Sequence, residues 1–265
     1  MTALPDFTLD AYGGLLDALA ASGYTAAPVT AMADAAMAGA AADVAAGPTV
    51  YLRHDVDFSL ARLPEMAAVE AARGVRATYY VALTQPYNPF SAAGRAVVRA
   101  LAEAGHEIGL HYDLTAYPER PDARRGHLAW ELDALARVAG APVRTLCMHQ
   151  PFLGTPDPFR SLGGLVHPHD PRLQAGVVYV SDSCRAWRDE TLLTAFGPGR
   201  PPRLLLNTHP ELWLGRPGTR RMDDLPRILG DATAEHRTYF EHEVAGVWTT
   251  HDAPRRHDAR EAARP

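Results

Sequence analysis

Lysine is missing from this chain: every one of its 26 basic residues is arginine. Whatever codon bias produced that, the chemical consequence is fixed. A Schiff-base lysine, a pyridoxal-phosphate lysine and a P-loop lysine are all excluded. Cysteine is scarce too. Cys147 and Cys184 are not spaced as a zinc knuckle or a redox pair. Cys147 follows the apolar stretch 143–146 and reads as a small buried hydrophobe. A reducing compartment is the default. No apolar run approaches the length of a membrane span. The opening MTALPDFTLD has neither the basic region nor the apolar region of a signal peptide. A cytoplasmic protein with no membrane contact is the expectation. A basic stripe is lacking as well, and a net charge of -5 at pH 7 argues against a nucleic-acid partner.

What is present is ordinary for a globular chain of 265 residues, 47% of them hydrophobic and 22% charged. That length suits one α/β barrel. Residues 10–22 have helical spacing, and the Ala-rich stretch 31–47 reads as a further helix or a loose lead-in. Strand patterns follow at 49–53, 76–83, 106–112, 143–149, 176–181 and 203–208, with helices predicted over 58–73, 92–104, 121–139 and 222–242. Residues 150–175, rich in Gly, Pro and His, read as a long surface loop. The alternation means βαβ units and a parallel sheet that closes or nearly closes as a barrel. We read one domain over 1–265: a helical lead-in (1–47), a barrel core (48–215) and a C-terminal helix and tail (216–265).

Polar residues gather where the predicted strands end: Asp55 and Asp57, His111 and Asp113, His149, Asp182, His209. Active sites of parallel α/β architectures lie at those ends. Asp55 and Asp57, two apart on an extended segment, share a face. Paired carboxylates repel unless a cation or a shared proton intervenes. The alternative is structural, with Asp57 capping the next helix and Asp55 closing a turn.

The order of these motifs is RHDVD (53–57), GHEIGLHYD (105–113), MHQP (148–151), YVSDSCRAW (179–187) and NTHPELW (207–213). It resembles the NodB-type polysaccharide deacetylases of carbohydrate esterase family 4, most closely a His-Asp-Val-Asp branch found among surface-polysaccharide biosynthesis proteins. The resemblance implies a distorted (β/α) barrel and a divalent metal, Zn2+ foremost, with Fe, Ni or Co as alternatives. It implies that Asp55 is the general base, that Asp57 and His111 bind the metal, and that His209 protonates the leaving amine. Thr115 stands where the family has a second motif-two histidine. His149 is then the first choice for third ligand, Asp113 the second, and a water the third. Gln150 replaces a motif-three arginine that orients the base. A backbone N–H near Phe152 is a candidate oxyanion donor, and His54 a candidate orienter of a carboxylate. Tyr112, Trp187 and Trp213 read as an apolar wall or as core. His106 reads as structural, and His167 and His169 as members of a solvated loop or a cleft wall. The implied activity is hydrolysis of an N-acetyl or N-formyl amide on an amino sugar or related small molecule. A silent binding protein on the same scaffold, and another metal-dependent C–N hydrolase or lyase, are the alternatives.

Overall fold

The computed structural model describes residues 5–37, 47–150, 156–183, 187 and 190–216, with isolated positions at 226–227, 229–230, 233–234 and 237. Among the described residues are seven strands: β1 (Thr25–Ala27), β2 (Thr49–Val56), β3 (Thr78–Val81), β4 (Glu107–Tyr112), β5 (Leu146–Met148), β6 (Val177–Ser181) and β7 (Arg203–Thr208). All pairings are parallel, in the order β5-β4-β3-β2-β7-β6. The longest strand, β2, organises the sheet. Its residues 49–51 pair with β1 and its residues 53–56 with β3, while β7 runs along its other flank.

Helices α1 (Leu9–Ala21), α2 (Leu63–Ala71), α3 (Ala92–Glu103) and α4 (Pro121–Ala139) flank the sheet. Strand alternation sends Val50, Leu52, Tyr79, Leu110 and Leu206 outward, into a core with Leu15 and Leu19 of α1, Met66 of α2, Val98 of α3 and Leu135 of α4. Tyr51, Tyr80, Cys147 and Leu205 point the other way and meet Val29 and Met32 in a second, smaller core. Side chains from β2, β3, β5 and β7 reach one another there because the sheet curls, giving the distorted α/β barrel expected.

Gly109 makes room for that interior. A Cβ at this position would lie 2.6 Å from the Tyr80 ring, whose hydroxyl lies 2.6 Å from Thr145 Oγ1. A fully buried polar knot lies on the helix side. Glu70 of α2 accepts hydrogen bonds from Tyr12 Oη (2.6 Å), Tyr79 Oη (2.6 Å) and His54 Nε2 (2.7 Å).

Several expectations shift in detail. The first core strand continues to Val56, so Asp55 lies within it and Asp57 is the first residue beyond. The helix expected over 58–73 is shorter, α2, with Pro64 in its first turn. Strand β1 was not legible as a strand, because three residues carry too little alternation. Residues 31–37 are helical. Residues 38–46, Cys184 and most of 217–265 lie outside the described residues; within the helix expected over 222–242, the described positions 226–227, 229–230, 233–234 and 237 are helical. Among the described residues, no helix is long and apolar enough to cross a membrane.

Candidate metal centre and active site

The extended backbone of β2 puts Arg53, Asp55 and, just past its end, Asp57 on the concave face, and turns His54 away. Adjacent strand ends add His111 from β4, His149 from just after β5 and His209 from just after β7.

Asp57, His111 and His149 form one group whose ligand atoms all lie within 4.8 Å of one another. Asp57 Oδ1 stands 3.3 Å from His149 Nδ1 and 3.5 Å from His111 Nε2. The two imidazole nitrogens are 3.2 Å apart. His111 Nδ1 lies 3.1 Å from the Cys147 carbonyl. A carbonyl only accepts, so Nδ1 donates to it and Nε2 is the nitrogen that faces the centre. Asp57 Oδ1 is buried with no hydrogen-bond partner among the described residues. An orphaned carboxylate oxygen facing imidazole nitrogens is a donor set that fits a borderline divalent cation. Burial would raise the Asp57 pKa, but His111 and His149 hold it far below the usual carboxylate range.

Asp113, the second choice for third ligand, accepts from Thr115 N (2.9 Å) and Thr115 Oγ1 (2.7 Å) and so caps the turn Leu114–Ala116. Thr115, where the family has a histidine, completes that cap.

Asp55 is 5% exposed. Arg53 clasps it through Nε–Oδ1 at 3.1 Å and through Nη2 at 2.8 Å to Oδ1 and 2.6 Å to Oδ2. Asn207 Nδ2 donates to Oδ2 at 3.1 Å. Burial pushes the Asp55 pKa up, and the charges of Arg53, His111 and His209 more than reverse that, keeping it ionised. Arg53 was not singled out from sequence. The signal was its place two residues before Asp55, on the same face.

His209 Nδ1 pairs with Asp182 Oδ1 at 2.6 Å, and its Nε2 lies 3.8 Å from Asp57 Oδ2. Asp182, fully buried, also accepts from His209 N (3.0 Å) and Trp213 Nε1 (2.7 Å). Burial would lower the His209 pKa, but Asp182 overrides it and the imidazole is pushed up to about 10. Glu211 Oε1 accepts from the backbone N–H of Asp57 (2.9 Å), Phe58 (2.8 Å) and Ser59 (3.3 Å), which fixes the turn that carries Asp57.

Other expectations resolve by geometry. His54 does meet a carboxylate, but it is Glu70 on the helix side, because its odd-even place on β2 turns it from the concave face. Tyr112 and Trp213 are core, not wall: both are fully buried, and Trp213 packs on Phe7 at 5.2 Å and on Trp187 at 5.9 Å. His106 accepts from Ala77 N and is structural. Cys147 is buried, which pushes its thiol up to about 12 and makes it inert. The reading of 167–169 as a solvated loop fails. His167 is 2% exposed and lies 2.9 Å from Asp157 Oδ2, and His169 contacts Arg53. Phe152 lies outside the described residues.

No family model and no curated protein matches the chain. Among solved structures it is similar to IcaB from Ammonifex degensii (17% identity, 84% of this chain and 88% of that one, TM-score 0.44). It is similar to a family 4 acetyl xylan esterase from Clostridium thermocellum in complex with a cobalt ion (17% identity, 71% and 83% covered, TM-score 0.41). It is similar also to BA3943 from Bacillus anthracis, a CE4 family pseudoenzyme (14% identity, 70% and 60% covered, TM-score 0.38).

Proposed function

We propose that this chain is a metal-dependent hydrolase that removes an acyl group, acetyl or formyl, from an amide nitrogen on an amino sugar or related small molecule. The observation that carries the reading is the orphaned, buried Asp57 Oδ1 facing His111 Nε2 and His149 Nδ1, with an ionised Asp55 and a proton-bearing His209 beside it. The motif order resembling carbohydrate esterase family 4 supports it.

Asp57, His111 and His149 would hold the cation, Zn2+ first among the choices. When bound, such an ion polarises the amide carbonyl and lowers the pKa of a neighbouring water to about 7. Asp55 supplies the base. The Arg53 clasp keeps it deprotonated and aimed, and also makes it a weak base, so its partner must already be acidic. His209 supplies the acid. Its proton sits on the side facing Asp57 while Nδ1 stays tied to Asp182, so the imidazolium is oriented towards the departing nitrogen. Amines leave poorly as anions, so that proton decides the product.

Protein stripped with a chelator and reloaded with Zn2+ or Co2+ is expected to bind one ion per chain and to deacetylate an N-acetylchitooligosaccharide or a formylated analogue. Asp57→Asn and His111→Ala should lose the ion. Asp55→Asn should keep it and lose turnover by about 10²–10⁴-fold. Failure to take up any ion, or wild-type turnover in Asp55→Asn, overturns the reading. An ion bound with no amide hydrolysis favours a binding protein or another metal-dependent chemistry.

A further inference from the structure

Around the base carboxylate five side chains close a ring. Asp55 is clasped by Arg53, whose Nη1 lies 3.1 Å from His169 Nε2. The His169 ring meets Tyr179 edge-on at 5.0 Å between centroids. Asn207 Nδ2 lies 3.3 Å from the Tyr179 hydroxyl and 3.1 Å from Asp55 Oδ2, which completes the circuit. Four of the five stand on β2, β6 and β7. His169 alone comes from the segment between β5 and β6.

We infer that His169 is a positioning residue for the base: as a neutral imidazole it accepts a hydrogen bond from Arg53 and fixes the guanidinium that aims Asp55. This rests on Asp55 being the base of the proposed hydrolysis. Guanidinium has only donors, so Nε2 of His169 must be the acceptor and Nδ1 carries the proton. Burial and the Arg53 charge push the His169 pKa down to about 3, so the ring is neutral throughout the neutral pH range, where Asp55 is ionised.

A third anchor matters for a geometric reason. Held on Asp55 alone through Nε and Nη2, the guanidinium plane would be free to pivot about the line joining those two atoms. A contact on Nη1, with the Tyr80 ring 5.1 Å beneath, removes that freedom. Arg53 is 2% exposed, so an Nη1 without an acceptor would also be costly. His169 is itself braced. Its backbone N–H donates to His167 Nδ1 at 3.0 Å, and His167 Nε2 meets Asp157 Oδ2 at 2.9 Å. Asp157 accepts from the Tyr112 hydroxyl, next to His111 on β4. The segment thus ties the strand bearing one candidate ligand to the arginine behind the base.

The test compares His169→Ala with His169→Gln, whose amide oxygen offers an acceptor at a similar reach. In cobalt-loaded enzyme acting on an N-acetylchitooligosaccharide, His169→Ala should lower kcat by about 10–100-fold, the scale of a small misplacement of a reacting group. KM and the cobalt absorption spectrum should stay as in wild type, and His169→Gln should recover most of the loss. By NMR, the Arg53 guanidinium protons should be separately resolved in wild type and His169→Gln, and merged in His169→Ala. Wild-type kcat with resolved Arg53 signals in His169→Ala overturns the inference. So does equal loss in both variants in step with a fall in Tm, which marks a merely structural residue. If loaded wild type hydrolyses no amide, the base assignment fails, and the guanidinium signals alone decide whether His169 fixes Arg53.

Discussion

Asp182 spends both carboxylate oxygens on three donors: the His209 ring, the His209 backbone and the Trp213 indole. It therefore sets both the direction of the imidazole and its charge. The ring has its pKa pushed up to about 10 from an ordinary 6.5, so it is protonated throughout the neutral range. In Asp182→Asn the amide still accepts from Nδ1–H but brings no charge. The alkaline limb of the kcat/KM profile should move from near 10 towards the imidazole's ordinary value, with about tenfold or greater loss at pH 8. The same shift is a stability statement. A folded-state pKa above the unfolded one means that the ion pair contributes fully below about pH 6.5 and is lost as pH rises through about 10. Urea titrations of chelated protein across that window should show stability falling with pH in wild type and a flatter dependence in Asp182→Asn.

At the scale of the element, β4 is built around what it omits. Gly109 lies directly under the Tyr80 ring, with Thr145 Cγ2 2.9 Å from where its Cβ would be. Tyr80 cannot yield easily, since it is fully buried, tied to Thr145 and stacked under Arg53. Gly109→Ala should therefore cost about 1–3 kcal/mol, the usual price of overpacking. Urea denaturation should show it, and Tyr80→Leu in the same chain should recover part of the loss. If Gly109→Ala is as stable as wild type, the interior of the barrel is looser than these contacts imply. A glycine two residues before His111 was visible in the sequence, but its reason was not, because Tyr80 and Thr145 are 29 and 36 positions away.

For the molecule as a whole, Glu70 is the joint between the sheet and the helices. It gathers Tyr12 of α1, Tyr79 of β3 and His54 of β2 around one carboxylate with no exposure to water. Glu70→Ala should cost about 3–5 kcal/mol, since it strands buried donors and an imidazole. Burial raises the Glu70 pKa, but the His54 charge and the three hydrogen bonds lower it below its ordinary 4.5. Its contribution is then complete above about pH 4.5 and is lost as pH falls through the depressed folded value. Acid unfolding should begin at higher pH in Glu70→Gln than in wild type. Coincident acid transitions would mean that the charge of this carboxylate contributes nothing to the joint.

The order of residues by itself determined the parallel α/β pattern, the helix Pro121–Ala139 to the residue, and the set of Asp and His at the strand ends. Those are local facts: alternation, capping and spacing are written in neighbouring positions. It could also place Arg53 on the face of Asp55, by the same period of two. Only the parallel pairing of β5 on β4, with Cys147 opposite His111, decided that His149 stands 3.2 Å from His111, 38 positions away. Only the path of the segment after β5 decided that His169 reaches Arg53 across 116 positions. Contacts at that separation are set by how strands pair and close, which no short window of sequence encodes.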